Sequence, residues 1–176
     1  MQQDERRRFE QVMLPHLDAA YNLARWLTRK DHDAEDVVQE AYLRAWKSFA
    51  SFRGGDGRPW LLATVRNTCY SWLAKHRGHQ PLSSFDENAQ VEASDSLNPA
   101  QLALREEDIA MLHEAIAALP EEFREVVVLR DLESLSYKEI AEIAGLPLGT
   151  VMSRLARARE RLQRMLVGRL NKGTNS

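Results

Sequence analysis

The stretch from Ser134 to Leu166, SLSYKEIAEIAGLPLGTVMSRLARARERLQRML, admits few folds. Ser136 and Glu139 have the S-x-x-E form of a capping box, in which each side chain satisfies the other residue's backbone N–H at the start of a helix. Leu135 and Ile140 flank it at the spacing of a hydrophobic staple. This predicts a helix over 137–144 with Ile140, Ala141, Ile143 and Ala144 turned inward. Gly145 stands where a helix end needs a residue that tolerates positive φ. Leu146-Pro147-Leu148-Gly149 reads as a turn, and Thr150 as the restart of a second helix whose Val151 and Leu155 face the core at i and i+4. Ser153, Arg154 and Arg157 lie together on another face of that helix, and Met152 lies apart. Two short helices around a Gly-bearing turn match a helix-turn-helix, whose second helix enters the DNA major groove. Arginine suits that task because its planar fork bonds guanine O6 and N7 together or holds a phosphate. The competing reading is an Arg-rich solvated face on an ordinary bundle. The coincidence of cap, turn and basic second helix favours DNA binding.

Charge supports the same division. The net charge of the 176 residues is −2, but residues 150–172 hold seven basic side chains against one acid, a local +6 that leaves −8 on the remainder. A basic end on an acidic body suggests a polyanion at one end and a different partner elsewhere. The 44% hydrophobic and 28% charged content is that of a soluble globular chain. No apolar run approaches the ~20 residues that cross a bilayer, so no membrane insertion is expected. The N-terminal MQQDERRRFEQ lacks the apolar core of a secretory signal, which points to the cytoplasm.

An enzyme reading finds little support. The single cysteine, Cys69, excludes an internal disulfide framework or a C-x-x-C metal site and reads as a buried small hydrophobe. His16, His32, His76, His79 and His113 are scattered without metal-ligand spacing. Asp33, Glu35 and Asp36 fit a helix start and surface, where acids suit the dipole, better than an acid–base or metal cluster. No catalytic residue, metal or cofactor is expected.

Taken in order, residues 9–29 read as one amphipathic helix with Leu17, Tyr21, Ala24 and Leu27 or Trp26 inward. Residues 29–32 break it. A second helix starts at Asp33 with an apolar stripe of Val37, Val38, Ala41, Tyr42, Ala45, Trp46 and Phe49, and Asp36, Gln39, Glu40 and Leu43 lie off that stripe. A Gly-rich loop over 52–59 lacks the G-K-[ST] of a phosphate-binding loop. A third helix runs over 59–75, with Pro59 at its favoured first position. Residues 79–101 are polar, acidic and Pro-containing and read as a flexible linker. Helices return over 100–119 and 123–132. Their Val126-Val127-Val128 is β-branched, but the flanking charges favour a buried helix. The chain is therefore read as all-α: a first domain over 1–78, a linker over 79–101 and a second domain over 102–176, each domain with a modest core.

In the third helix Trp60, Asn67, Tyr70 and Trp72 interleave with Arg58, Arg66, Lys75, His76 and Arg77. Such a pattern can hold a single nucleic-acid strand, bases on rings and backbone along charges. Aromatic residues at helical spacing also build cores, and spacing alone leaves both readings open. Asn67 and Ser71, sharing a face, are the better candidates for reading a base.

Three blocks carry a family resemblance: DAEDVVQEAYLRAW (33–46), FRGGDGRPWLLATVRN (52–67) and LPEEFREVVVLRDLESLSYKEIAEIAGLPLGTVMSRLARARERL (119–162). In this order they resemble bacterial extracytoplasmic-function sigma factors, two-domain helical proteins that bind core RNA polymerase and direct it to promoters. The resemblance implies that Asp36, Gln39, Glu40 and Leu43 dock on the polymerase β′ clamp coiled coil, with the β flap as a further contact. It implies that Phe52, Arg53, Thr64, Asn67 and Ser71 read the −10 element as a single strand, and that Thr150, Ser153, Arg154 and Arg157 read the −35 element in the major groove. It also implies control by an anti-sigma factor covering both domains, since no autoinhibitory extension precedes the first helix. The sequence departs from the family at Met152, where a basic residue is common, and at Tyr70-Ser71-Trp72, where a more polar stretch is common. A two-domain DNA-binding regulator is the competing reading; it would need no polymerase surface and no strand pocket.

Overall fold

The computed structural model describes residues 1–76 and 99–173, the side chains of 99–105 apart, and is all-α over them. Helices α1 (Gln2–Met13), α2 (Leu17–Thr28), α3 (Asp31–Ser48) and α4 (Gly57–His76) form the first half. Helices α5 (Pro99–Ala118), α6 (Glu121–Val127), α7 (Tyr137–Ala144) and α8 (Leu148–Gly173) form the second. The expected linker over 79–101 lies outside the described residues except for its last three positions, which already belong to α5.

The single helix expected over 9–29 is two. Pro15, lacking an N–H, sits in a 3-10 turn over Leu14–His16 that separates α1 from α2. The change of direction leaves Leu17, expected inward, exposed, while Ala20, Leu23, Ala24 and Leu27 take the core positions. Arg29 ends α2 in the left-handed region, at φ 69°. α3 begins at Asp31 rather than Asp33, and the Asp31 carboxylate accepts from Arg25 and, at 3.3 Å, from the Tyr21 hydroxyl. Trp46, read as part of the apolar stripe, lies at its exposed edge.

α4 also starts early, at Gly57, because Asp56 Oδ1 accepts the Arg58 N–H at 3.0 Å and so caps the helix. Gly57 is required there by close approach: a Cβ would lie 2.5 Å from Val12 Cγ1 on α1. Cys69 is fully buried in this half, and burial pushes its thiol up to about 12, so it behaves as the expected small hydrophobe.

In the second half α6 runs on into a π-helical turn over Val128–Leu132. The three valines are buried in helix, as their flanks suggested. The fully buried Arg124 forms no ion pair among the described residues; its guanidinium donates to the Ala117 and Leu119 carbonyls at the end of α5, where the helix dipole favours a cation. Burial, with Arg29 nearby, lowers its pKa to about 10.

Two separate small cores were expected, but the buried side chains form one continuous cluster. α4 packs on α7 and α2 packs on α6. At the rim, Trp26 of α2 meets His113 of α5 edge-on with centroids 5.4 Å apart, and Arg29 donates to the Ala117 carbonyl at 2.9 Å.

Candidate nucleic-acid interface

The helix-turn-helix forms as its local chemistry dictates. Glu139 N–H donates to Ser136 Oγ at 3.1 Å and Ser136 N–H to Glu139 Oε1 at 3.0 Å, closing the capping box. Gly145 takes φ 65°, and the Leu146 N–H reaches back to the Ala141 carbonyl at 3.0 Å, ending α7. The turn is shorter than expected. The Pro147 carbonyl accepts from both Thr150 and Val151, so α8 begins at Leu148, not Thr150. Val151 and Leu155 are buried as read, and they hold the start of α8 on the core with its opposite face outward. On that face Thr150 and Arg154 are partly exposed and Ser153 and Arg157 fully so.

The arginines of α8 fall into two groups. Arg159 pairs with Asp131 at 2.6 Å, Arg161 lies over the Phe123 ring, Arg164 pairs with Glu160 and Arg169 with Glu114. Arg154 and Arg157 have no ion pair or hydrogen bond among the described residues. The two cations nearest the helix start are thus the ones left for an outside ligand, beside a positive dipole end that favours phosphate.

α4 and the loop before it place the second set. Phe52 is buried, stacked on Phe49 at 5.7 Å and tilted against Trp60 at 5.3 Å, so it anchors the loop from beneath. Arg53 is exposed beside Gly54 and Gly55, whose φ of 92° and 81° suit glycine. Thr64, Asn67 and Ser71 share one face of α4; Asn67 and Ser71 are exposed, and Thr64 bonds back to the Trp60 carbonyl. Of the aromatic residues there, Trp60 and Tyr70 turn inward and offer no free stacking surface in this arrangement.

On α3, Asp36, Gln39, Glu40 and Leu43 are all exposed, Leu43 by 59%. Asp36, Gln39 and Leu43 border a groove of about 1900 Å³ that also takes in the exposed apolar side chains Leu17, Trp46 and Leu132. Acidic groups beside exposed leucine and tryptophan suit a basic partner with an apolar ridge.

Sequence reasoning missed two residues at the junction of the halves. Glu125, fully buried on α6, accepts from Arg66 Nε at 2.5 Å and from the Tyr70 hydroxyl at 2.9 Å. Burial and Glu125 together raise the Tyr70 pKa. Glu133 accepts from Arg58 at 3.0 Å and from Asn22 at 3.3 Å. The signal for Glu125 was its place directly before the apolar run Val126–Leu129 on a helix read as buried, where an unpaired carboxylate does not fit.

Comparison with known proteins gives a consistent result. Residues 13–79 match the family model for sigma-70 region 2, and residues 109–162 that for sigma-70 region 4. The chain is 34% identical over 155 residues to the ECF RNA polymerase sigma factor SigE of Mycolicibacterium smegmatis, covering 88% of this chain but only 60% of that relative. It is 33% identical over 174 residues to the RNA polymerase sigma-H factor of Pseudomonas aeruginosa, covering 94% and 90% of the two chains. Among solved structures, the sigma factor RpoE in complex with the anti-sigma factor NepR from Bartonella quintana superposes with a TM-score of 0.68 at 34% identity, over 90% of this chain and 96% of that one.

Proposed function

The chain belongs to the extracytoplasmic-function sigma factors of RNA polymerase, and we propose the division of labour by which its residues carry out that role. The observation that carries it is the contrast along α8: among the described residues Arg154 and Arg157 have no ion pair or hydrogen bond, while Arg159, Arg161, Arg164 and Arg169 are each engaged within the fold. Thr150, Ser153, Arg154 and Arg157 enter the major groove at the −35 element, base edges read by the arginine forks and register set by phosphate contacts. Arg53, Thr64, Asn67 and Ser71 take the unpaired −10 strand, and Phe52 holds their loop in place. Asp36, Gln39, Glu40 and Leu43 dock on the β′ clamp coiled coil of core polymerase, and the second domain meets the β flap. The domains divide at 1–78, 79–101 and 102–176.

The relative RpoE is bound by an anti-sigma factor, and a partner of that kind fits the groove beside α3, where it would cover the polymerase-docking face. No helix among the described residues is long and apolar enough to cross a membrane, and the proposal places the chain with the polymerase in the cytoplasm.

The test is reconstitution. The protein is mixed with sigma-free core polymerase and promoter DNA, and specific initiated transcripts are expected. Asp36→Lys with Glu40→Lys should abolish capture of core in a pull-down, and Asn67→Ala should spare capture but lose permanganate reactivity of melted thymines. A wild-type protein that ignores purified core polymerase overturns the proposal.

A further inference from the structure

All of α1 before Met13 lies outside the two segments that match the family, yet its seat on the first half is well defined. The Phe9 ring meets Trp46 and Phe49 edge-on, each at 5.2 Å, and Tyr42 at 6.4 Å. The Tyr42 hydroxyl donates to the Met13 carbonyl at 2.8 Å, and Val12 closes on Gly57 at the start of α4. Aromatic burial against α3 and close approach to α4 therefore set the direction of α1.

That direction brings Arg8 to the aromatic stack under the loop assigned to the −10 strand. The Arg8 guanidinium carbon lies 5.5 Å from the Phe49 ring centroid. Phe49 stacks in turn on Phe52, and the exposed Arg53 follows Phe52 in the chain. Beyond Arg53 the loop is open, since a Cβ on Gly54 or Gly55 would meet nothing within 4 Å. A guanidinium lying over a ring keeps its N–H groups at the rim, where they can hold an oxyanion.

The neighbouring arginines of α1 are not equivalent. Arg6 pairs with Glu10 at 2.9 Å and borders the groove beside α3. Arg8 is exposed and has no ion pair or hydrogen bond among the described residues. The acids nearest in sequence, Asp4 and Glu5, occupy the first turn, where the helix dipole suits them. The competing reading is a side chain whose stem merely covers Phe49. A free cationic head beside Arg53 and an open loop favours a ligand. The unpaired strand carries one phosphate per nucleotide, and contacts to phosphates fix its register while α4 reads its bases.

We propose that Arg8 is a further strand-binding residue, whose guanidinium, held over Phe49, takes a backbone phosphate of the unpaired strand where it passes the loop over residues 52–55. Helix α1 thus extends the strand path beyond α4 and its loop. The inference rests on the assignment of α4 and that loop to the −10 strand.

The test uses the full chain carrying R154A/R157A, so that the start of α8 does not contribute. Fluorescein-labelled oligothymidylates of ~4, ~8 and ~12 nucleotides are titrated by anisotropy across a salt series. R8Q keeps a stem over Phe49 and should melt with the parent. On the longest probe its plot of log affinity against log salt should be shallower by about 0.7, one phosphate of a single strand. On the shortest probe, which α4 alone can hold, parent and R8Q should bind alike. R8K keeps the charge and should restore the slope. R6Q removes the same charge from the groove side of α1 and should leave the slope at the parent value. A slope unchanged in R8Q, or lowered equally in R6Q, overturns the proposal. N67A reports on the underlying assignment separately. If it leaves affinity for every probe unchanged, α4 is not the strand reader, whereas an N67A loss beside an inert R8Q removes α1 alone.

Discussion

Glu125 Oε1 accepts a hydrogen bond from Arg66 Nε at 2.5 Å although the residues stand 59 positions apart, in opposite halves of the chain. Burial pulls the Arg66 pKa down, but the hydrogen bond and charge of Glu125 outweigh it and the net shift is upward. Removing one member strands the other: Arg66→Met should lower the unfolding free energy by about 3–5 kcal/mol, the cost of an uncompensated buried charge. Arg66→Met with Glu125→Leu should recover most of that loss, because the apolar pair needs no counter-charge. Urea titration of the two single variants and the double completes the cycle. Additive losses would mean that the residues do not interact.

At the other end of the molecule the expectation is reversed, with function lost and stability kept. Arg154 and Arg157 make no ion pair or hydrogen bond among the described residues, so replacing either with alanine should leave thermal unfolding within about 0.5 kcal/mol of wild type. Each should weaken binding to −35 duplex by about 1–3 kcal/mol if it reads a base, or flatten the salt dependence by about one unit if it holds a phosphate. Arg159→Ala is the control, expected to lose up to ~1 kcal/mol of stability from its exposed Asp131 pair and little affinity. Footprints unchanged in both Arg154→Ala and Arg157→Ala would remove α8 from the −35 role.

How much of this was legible beforehand follows from the range of the forces involved. α7 was readable to the residue because its limits are local: Ser136 with Glu139 at one end and Gly145 at the other. The starts of α3, α4 and α8 were each placed two residues late. The Lys30 carbonyl, the Asp56 carboxylate and the Pro147 carbonyl act as early helix-start partners, and hydrophobic periodicity does not register them. Pro15 was passed over inside an otherwise helical pattern, although a missing N–H was the clearest break in it. The joined core and the Glu125 and Glu133 contacts were out of reach, because they depend on how two helical units meet across residues of no periodic pattern. The same limit applied to Phe52, whose aromatic character fits a base-stacking role and a core role alike. Only its packing on Phe49 and Trp60 separates them.

Gly57 gives a steric test of how α1 is seated. An added Cβ would meet Val12 Cγ1 at 2.5 Å and the Val12 carbonyl at 3.2 Å, so α1 must shift or α4 must start later. Gly57→Ala should therefore cost about 1–3 kcal/mol, as overpacking does, despite the better helix propensity of alanine. Differential scanning calorimetry should show a midpoint lower by roughly 2–4 °C per kcal/mol for a chain of this size. A midpoint at or above the wild-type value would show that α1 is not held against α4.

The α7 limits give a paired test of local origin. Ser136→Ala removes the acceptor for the Glu139 N–H and should cost ~1 kcal/mol. Gly145→Ala forces a Cβ into the left-handed region and should cost about 1–2 kcal/mol, although nothing lies within 4 Å of that Cβ. Thermal melts of the two variants and their double should give nearly additive losses, since the two positions bracket the helix without sharing a partner. A neutral Gly145→Ala would mean that the turn relaxes out of positive φ and that the angle between α7 and α8 is not fixed there.

His113 ties the packing of the two halves to pH. Half-buried at the junction and edge-on to Trp26, it has its pKa lowered by burial. The unfolded chain then takes up a proton at a higher pH than the folded chain. Between the folded value and the ordinary value near 6.5 the unfolded state binds more protons, and stability rises with pH. The contribution is complete above that window, is lost as pH falls through it, and changes no further once both states are protonated. His113→Phe keeps a ring against Trp26 but carries no proton. Its unfolding midpoint should fall less than the wild-type midpoint when pH is lowered from about 7.5 to about 5. Parallel curves for the two proteins would place the acid sensitivity elsewhere and remove His113 from the junction's balance.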